Sequence, residues 1–140
     1  MLKASWTKGG KTREVPLETD AQREALALAH RIAGRGSLIP PEHTYVEQLR
    51  IYERQSANAG LSKLHGLRHQ YAQARYRTLT ELFAETHHIE GGGWSAPADG
   101  GPSRSELSRA QLEIDQSVRM QISRELGHER EQISTIYLGR

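Results

Sequence analysis

A chain of 140 residues with 36% apolar side chains can enclose one modest core and leaves no room for extra modules, so a single domain is expected. Nineteen Lys and Arg against seventeen Asp and Glu leave a formal charge of +2, too small to mark a nucleic-acid protein by charge alone. The lack of cysteine excludes disulfides and thiolate metal sites and suits a reducing, cytoplasmic compartment. The start has no signal-peptide core and no later run has the length to cross a bilayer, so no membrane role is expected.

Residues 1–17 read as a β-hairpin: Leu2 to Trp6 alternates, Lys8-Gly9-Gly10-Lys11 supplies the turn and Thr12 to Leu17 returns. Lys3, Lys8, Lys11 and Arg13 make this segment a basic edge. Residues 19–86 read as a helical core. Its first helix opens at Thr19-Asp20, carries Ala25, Leu26, Leu28, Ala29, Ile32 and Ala33 as a core-facing stripe, and closes at Gly34. A second runs from about Glu42 to Ser56, entered through Pro41, with Tyr45, Val46, Leu49 and Tyr52 as packing residues. A third starts around His65 and turns Tyr71, Ala72, Leu79, Leu82 and Phe83 inward.

Residues 87–104 change character, with five glycines and two prolines, and read as a flexible insertion that Trp94 could pin to the body. Residues 105–140 return to helix. Leu107, Ala110, Leu112, Ile114, Val118, Ile122 and Leu126 give the long helix its apolar positions, Gly127 stops it, and a short helix or turn from Glu129 to Tyr137 follows. The expected class is mainly α with one small amino-terminal hairpin.

The candidate chemistry is spread along the chain. His65 and Arg68 are three apart, which puts both on one helical face at a helix amino terminus, where free N–H groups favour an anion. Arginine suits a phosphate because its planar fork can bond two oxygens and stays charged. Each motif alone also has a structural explanation. Lys8 can be a solvated turn lysine, Arg68 an exposed residue beside a capping His65, Gly127-His128 a helix stop, and Tyr137 a packing residue beside Ile133, Ile136 and Leu138. His87-His88 with Glu90 is a conceivable ligand cluster without a third well-spaced partner, and no metal or other cofactor is expected.

Taken jointly, Thr7-Lys8-Gly9-Gly10-Lys11-Thr12-Arg13-Glu14-Val15-Pro16-Leu17, His65-Gly66-Leu67-Arg68-His69, Leu126-Gly127-His128 and Tyr137 nine positions on resemble, in order, the motifs of the tyrosine recombinase (phage integrase) family. The resemblance implies a DNA breaking-rejoining catalytic fold and site-specific recombination or integration through a 3′-phosphotyrosyl intermediate. By that resemblance Tyr137 is the nucleophile, Arg68 grips the scissile phosphate, and His65 and His128 hydrogen-bond it and assist proton movement. Lys8 protonates the leaving 5′ oxygen, and His69 matches the motif in a structural capacity. Lys8, Lys11, Arg13 and Arg68 are expected to bind DNA. The implied partners are double-stranded DNA and further integrase subunits, in a tetrameric synapse for the complete protein, on bacterial DNA in the cytoplasm.

A tyrosine phenol titrates near 10, so attack at neutral pH needs neighbouring cations or a base, which Arg68 and the histidines supply. His65, Arg68 and His128 are therefore expected to converge on one open, positive depression, with Tyr137 free to sit outside it. Two departures from the family stand out. The stretch from about Thr86 to Asp115 resembles an insertion, and the family's first catalytic arginine, which lies upstream of the lysine hairpin, has no counterpart before Lys8. The expectation is an amino-terminally truncated catalytic domain, inactive alone. The competing readings are a non-catalytic DNA-binding or interaction module, a type IB topoisomerase-like enzyme, and a helical scaffold whose motif residues lie far apart.

Overall fold

Helix starts in this chain are set by short polar signatures. A computed structural model describes residues 10, 12–61, 65–90, 92–128 and 130–140, the side chains of residues 65, 131 and 133 excepted. Among those residues it forms five helices, α1 (Asp20–Ala33), α2 (Tyr45–Asn58), α3 (His65–Thr86), α4 (Arg109–Glu125) and α5 (Glu131–Leu138), with a 3-10 turn at Pro97–Asp99. α1, α2 and α4 each open on a capping box. Thr19, Thr44 or Ser108 accepts the N–H three residues on, and the side chain of Gln22, Glu47 or Gln111 accepts the cap's own N–H. α2 therefore starts after the Thr44 cap and not at Glu42 behind Pro41. α4 starts after Ser108, because Ser103 and Glu106 close a separate turn, the Ser103 N–H and hydroxyl donating to the Glu106 carboxylate at 2.8 and 2.7 Å.

The chain is mainly helical, and no strand forms among the described residues. Most of the expected hairpin, with Lys3, Lys8 and Lys11, lies outside them. No helix of the described residues is long and apolar enough to cross a membrane.

The chain divides into two compact units, residues 16–63 and residues 1–15 with 64–140. The smaller unit holds α1 and α2, and neither buries a side chain. Leu26 and Ile32 on α1 and Tyr45 on α2 are 56%, 65% and 68% exposed, so the stripe expected in the core and the tyrosines expected to pack both face outward. Two helices of fourteen residues, with no third element among the described residues of their unit, do not enclose an interior.

The core belongs to the larger unit, where α3, α4 and α5 pack on one another. On α3 the buried set is Ala72, Tyr76, Leu79, Thr80 and Ala84, a stripe at helical spacing, while Leu82 points outward. α4 contributes Ile114, Val118 and Ile122, and α5 Tyr137 and Leu138. Trp94 and Ala96 join the same cluster. The Thr80 hydroxyl donates to the Trp94 carbonyl at 2.9 Å and accepts the Trp94 N–H at 3.2 Å. Trp94 and Ala96 thus anchor this stretch to the core, with Trp94 in the pinning place expected of it. Glycine serves close approach here: a Cβ at Gly93 would collide with Glu81, and one at Gly101 with the Ser95 carbonyl.

A polar chain runs through this core. Arg119 and Asp115, both fully buried on α4, are joined Nε to Oδ1 at 2.7 Å. The Tyr76 hydroxyl donates to the same carboxylate oxygen at 2.6 Å and accepts the Trp94 indole N–H at 2.9 Å. Arg104 reaches Asp115 from the loop at 3.0 Å, and Arg119 donates to the Gly139 carbonyl at 2.9 Å. Burial, and then the Asp115 carboxylate that accepts its proton, push the Tyr76 hydroxyl well above the ordinary phenol range.

Two outcomes are expected. Asp115→Ala leaves the Arg119 guanidinium buried without its counter-ion and should cost about 3–5 kcal/mol in urea unfolding, whereas replacing both residues with leucine and methionine should cost much less. Because the native state holds the Tyr76 proton that the unfolded chain releases, stability should be full below roughly pH 10 and decline as pH rises above it. Tyr76→Phe should flatten that alkaline decline while lowering stability at neutral pH, both read by unfolding at a series of pH values.

Candidate functional site

Gly127 and His128 sit where α4 stops. The Gly127 N–H donates to the Arg124 carbonyl at 2.9 Å and the His128 N–H to the Ser123 carbonyl at 2.7 Å, which with Gly127 at φ +85° forms a Schellman cap. The helix stop expected at Gly127 is therefore present. The turn fixes the backbone of His128 directly against the end of α4. Gly127 has a second constraint, since a Cβ there would collide with the guanidinium of Arg13. Burial alternates along residues 12–15, with Arg13 and Val15 half-buried and Thr12 and Glu14 exposed, so the segment lays one face on the body.

Tyr137 lies on α5 with its ring in the core, 7% exposed, and does not sit apart from the body. His69 meets it edge-on with ring centroids 5.0 Å apart, and His128 stacks at 6.5 Å with 26° between the planes. The Tyr137 carbonyl accepts from Gln73 on α3 at 3.3 Å. The His128 and Tyr137 of the expected set thus come together, and His69 of the same motif as Arg68 joins them. His69 is one residue past Arg68 on α3, so its ring turns about 100° from the arginine, inward where Arg68 is exposed.

Arg68 and His128 do not share one depression but line adjoining clefts. One is bounded by Arg13, Val15, Arg68, Tyr71, Glu125 and Leu126. The other, of about 850 Å³, includes Arg13, Arg124, Glu125, Gly127 and His128. Arg13 and Glu125 belong to both. His65 opens α3, but its side chain, like Lys8 and Lys11, lies outside the described residues.

Glu125 would oppose an anion if its charge were uncompensated. It is instead surrounded by donors: the Tyr71 hydroxyl at 2.8 Å, Arg75 Nε at 3.1 Å and Nη2 at 3.1 Å, and Gln121 at 3.1 Å. Arg75 and Glu125 are both largely buried, so this pair is a fixed, internally neutralised wall. Sequence reasoning missed it because Tyr71 and Arg75 lie 50 or more positions from Glu125. The one local signal was a carboxylate in the last turn of an amphipathic helix, where the helix dipole disfavours it.

The histidine pair after α3 has another use. His87 Nδ1 lies 2.8 Å from the Phe83 carbonyl and its ring stacks on Phe83 at 5.9 Å, the arrangement of a helix-end side chain. Among the described residues no group of three or more His, Asp or Glu could hold a metal ion.

No protein-family model, curated protein or solved structure matches the chain.

The edge-on contact predicts a docking role for His69. His69→Ala should speed amide exchange in α5 relative to α4, by an amount corresponding to about 0.5–1.5 kcal/mol, and His69→Phe should restore most of the protection. Equal exchange in all three proteins would remove His69 from the support of Tyr137.

Proposed function

We propose that this chain carries the nucleophile and the phosphate-binding groups of a tyrosine-recombinase-type catalytic domain that cuts and rejoins DNA. The observation that carries the reading is the packing of Tyr137 against His128, at 6.5 Å between ring centroids, in the unit that also exposes Arg68. His128 is only nine positions from Tyr137, but His69, from the Arg68 motif on α3, reaches the same ring at 5.0 Å, a meeting that a scaffold with accidental motifs does not require.

In this reading the Tyr137 hydroxyl attacks the scissile phosphorus. The bond between phosphorus and the 5′ oxygen breaks, leaving a 3′-phosphotyrosyl ester and a free 5′ hydroxyl. The phenol proton passes to a nearby base, with a histidine the available group, and the departing oxygen takes a proton from Lys8 as the family resemblance implies. Arg68 and His128 stabilise the charge that builds on the non-bridging oxygens. Attack by a 5′ hydroxyl on the ester reverses the step and rejoins a strand, conserving the bond energy. Integration or excision of a mobile element, with DNA and further subunits as partners, is the role the resemblance suggests.

One observation favours a second reading, a DNA-binding module without cleavage activity: Tyr137 is only 7% exposed, and a nucleophile must meet its phosphate. A single experiment separates the two. The protein is recovered under denaturing conditions from the cells that encode it, and DNA retained through a covalent bond is sequenced. The recombinase reading expects DNA joined at one recurrent sequence, lost in Tyr137→Phe and reduced about 10²–10³-fold in Arg68→Ala. DNA retained in Tyr137→Phe would exclude Tyr137 as nucleophile. No covalent DNA, together with salt-dependent duplex binding by the purified protein, would establish the non-catalytic module.

A further inference from the structure

Arg13 is the residue shared by the two clefts that Arg68 and His128 line. Its surroundings are unusual for an arginine. Its Nε is shut off from solvent and has no hydrogen-bond partner, and the side chain forms no ion pair among the described residues. The Nε–H of this half-buried side chain forfeits hydration without replacing it, while the charge itself, facing the clefts, is met by no counter-ion.

The nearest acid of the clefts does not serve. Glu125 is taken up by Tyr71, Arg75 and Gln121, as described above. Glu14, the other carboxylate on the larger cleft, is exposed at the next position of a segment whose alternate residues turn inward. Arg68 is likewise without an ion pair or hydrogen bond among the described residues. Two uncompensated guanidinium groups therefore face one cleft beside a neutralised wall, and one of them also borders His128.

Gly127 admits this arrangement. Any side chain there would displace the Arg13 guanidinium, so the glycine serves the approach of Arg13 as well as the turn of the cap.

We propose that Arg13 is a ligand of the same phosphodiester that Arg68 and His128 hold, joining their two clefts into one oxyanion site, and that Gly127 is glycine so that Arg13 can reach it. The inference rests on the phosphotransfer reading for its substrate class, and it assigns Arg13 to the reacting phosphate instead of to the flanking DNA backbone.

The test uses one small anion, so that flanking contacts are absent. Inorganic phosphate is titrated into the full chain, labelled with ¹⁵N, while the Nε–H signals of Arg13 and Arg68 and the backbone amide of His128 are followed. All three should move on one isotherm. Arg13→Gln and Arg68→Gln should each weaken phosphate roughly ten-fold or more, as loss of a charge-assisted hydrogen bond does, and the double substitution should weaken it by less than the product if the two grip one ion. Gly127→Ala should mimic Arg13→Gln. Because that variant places a Cβ at positive φ and can unfold, Arg13→Gln with an unchanged melting temperature is the deciding protein.

Phosphate that shifts Arg68 and His128 with the same affinity in Arg13→Gln overturns the proposal, as do separate isotherms for Arg13 and Arg68. The covalent-DNA experiment is independent of this outcome. A shared phosphate site with no Tyr137-dependent adduct leaves the Arg13 assignment standing and removes the recombinase reading, and the converse result removes only Arg13.

Discussion

Arg119 is fully buried, and a guanidinium taken out of water must be met on several sides or it unfolds its surroundings. Its partners come from different parts of the chain. Asp115 answers its charge from one turn earlier on α4, and the Gly139 carbonyl caps it from beyond α5. The ring of Tyr76 on α3 lies 5.6 Å from the guanidinium carbon. Asp115 then takes the Tyr76 hydroxyl and Arg104, and Tyr76 takes the Trp94 indole. One ion pair thus fixes α3, α4, the end of α5 and the loop between α3 and α4 in mutual register, since each supplies a group that another would leave unpaired.

Charge at the candidate site follows a similar division of labour. Two buried or half-buried arginines on the same body have opposite fates: Arg75 is consumed by Glu125, whereas Arg13 has no acid to meet. The spent pair builds a rigid wall and leaves the unspent cations to set the sign of the clefts. A net charge of +2 gives no hint of this, because the balance that matters is local and set by which acids are already satisfied.

Helix spans and stops were legible in the sequence where they depend on neighbours along the chain. α3 begins at His65 and ends at Thr86 as the uninterrupted pattern suggests, and α4 ends in the glycine turn expected at Gly127. What misled was the assumption that apolar residues at helical spacing are buried. α1 and α2 carry such stripes and bury none of them, because burial depends on an opposing element and periodicity says nothing of whether one is present. Two glycines of residues 92–101 have a use that the expectation of a flexible insertion left out. Gly93 and Gly101 are places where backbone passes close to Glu81 and Ser95, a use of glycine that composition cannot tell from flexibility. Of the candidate site, the pairing of His128 with Tyr137 was legible only as a motif spacing. The positions of Asp115 and Arg119 on the buried stripe with Val118 and Ile122 were the unread sign of the network that supports it.

That network bears directly on Tyr137. Its own carbonyl accepts from Gln73 on α3, and two residues on, the Gly139 carbonyl accepts from Arg119. The end of the short α5 is therefore tied to α3 at Tyr137 and to α4 just beyond it, while His69 and His128 bracket the ring. Displacement of a nucleophile by an ångström can cost orders of magnitude in rate, so a tyrosine on an eight-residue helix needs such restraints if it is to act in line. The same restraints keep it 7% exposed. In the proposed reading, holding Tyr137 in place and presenting it to a phosphate are opposed demands, and the two histidine rings that bracket the phenol stand between them.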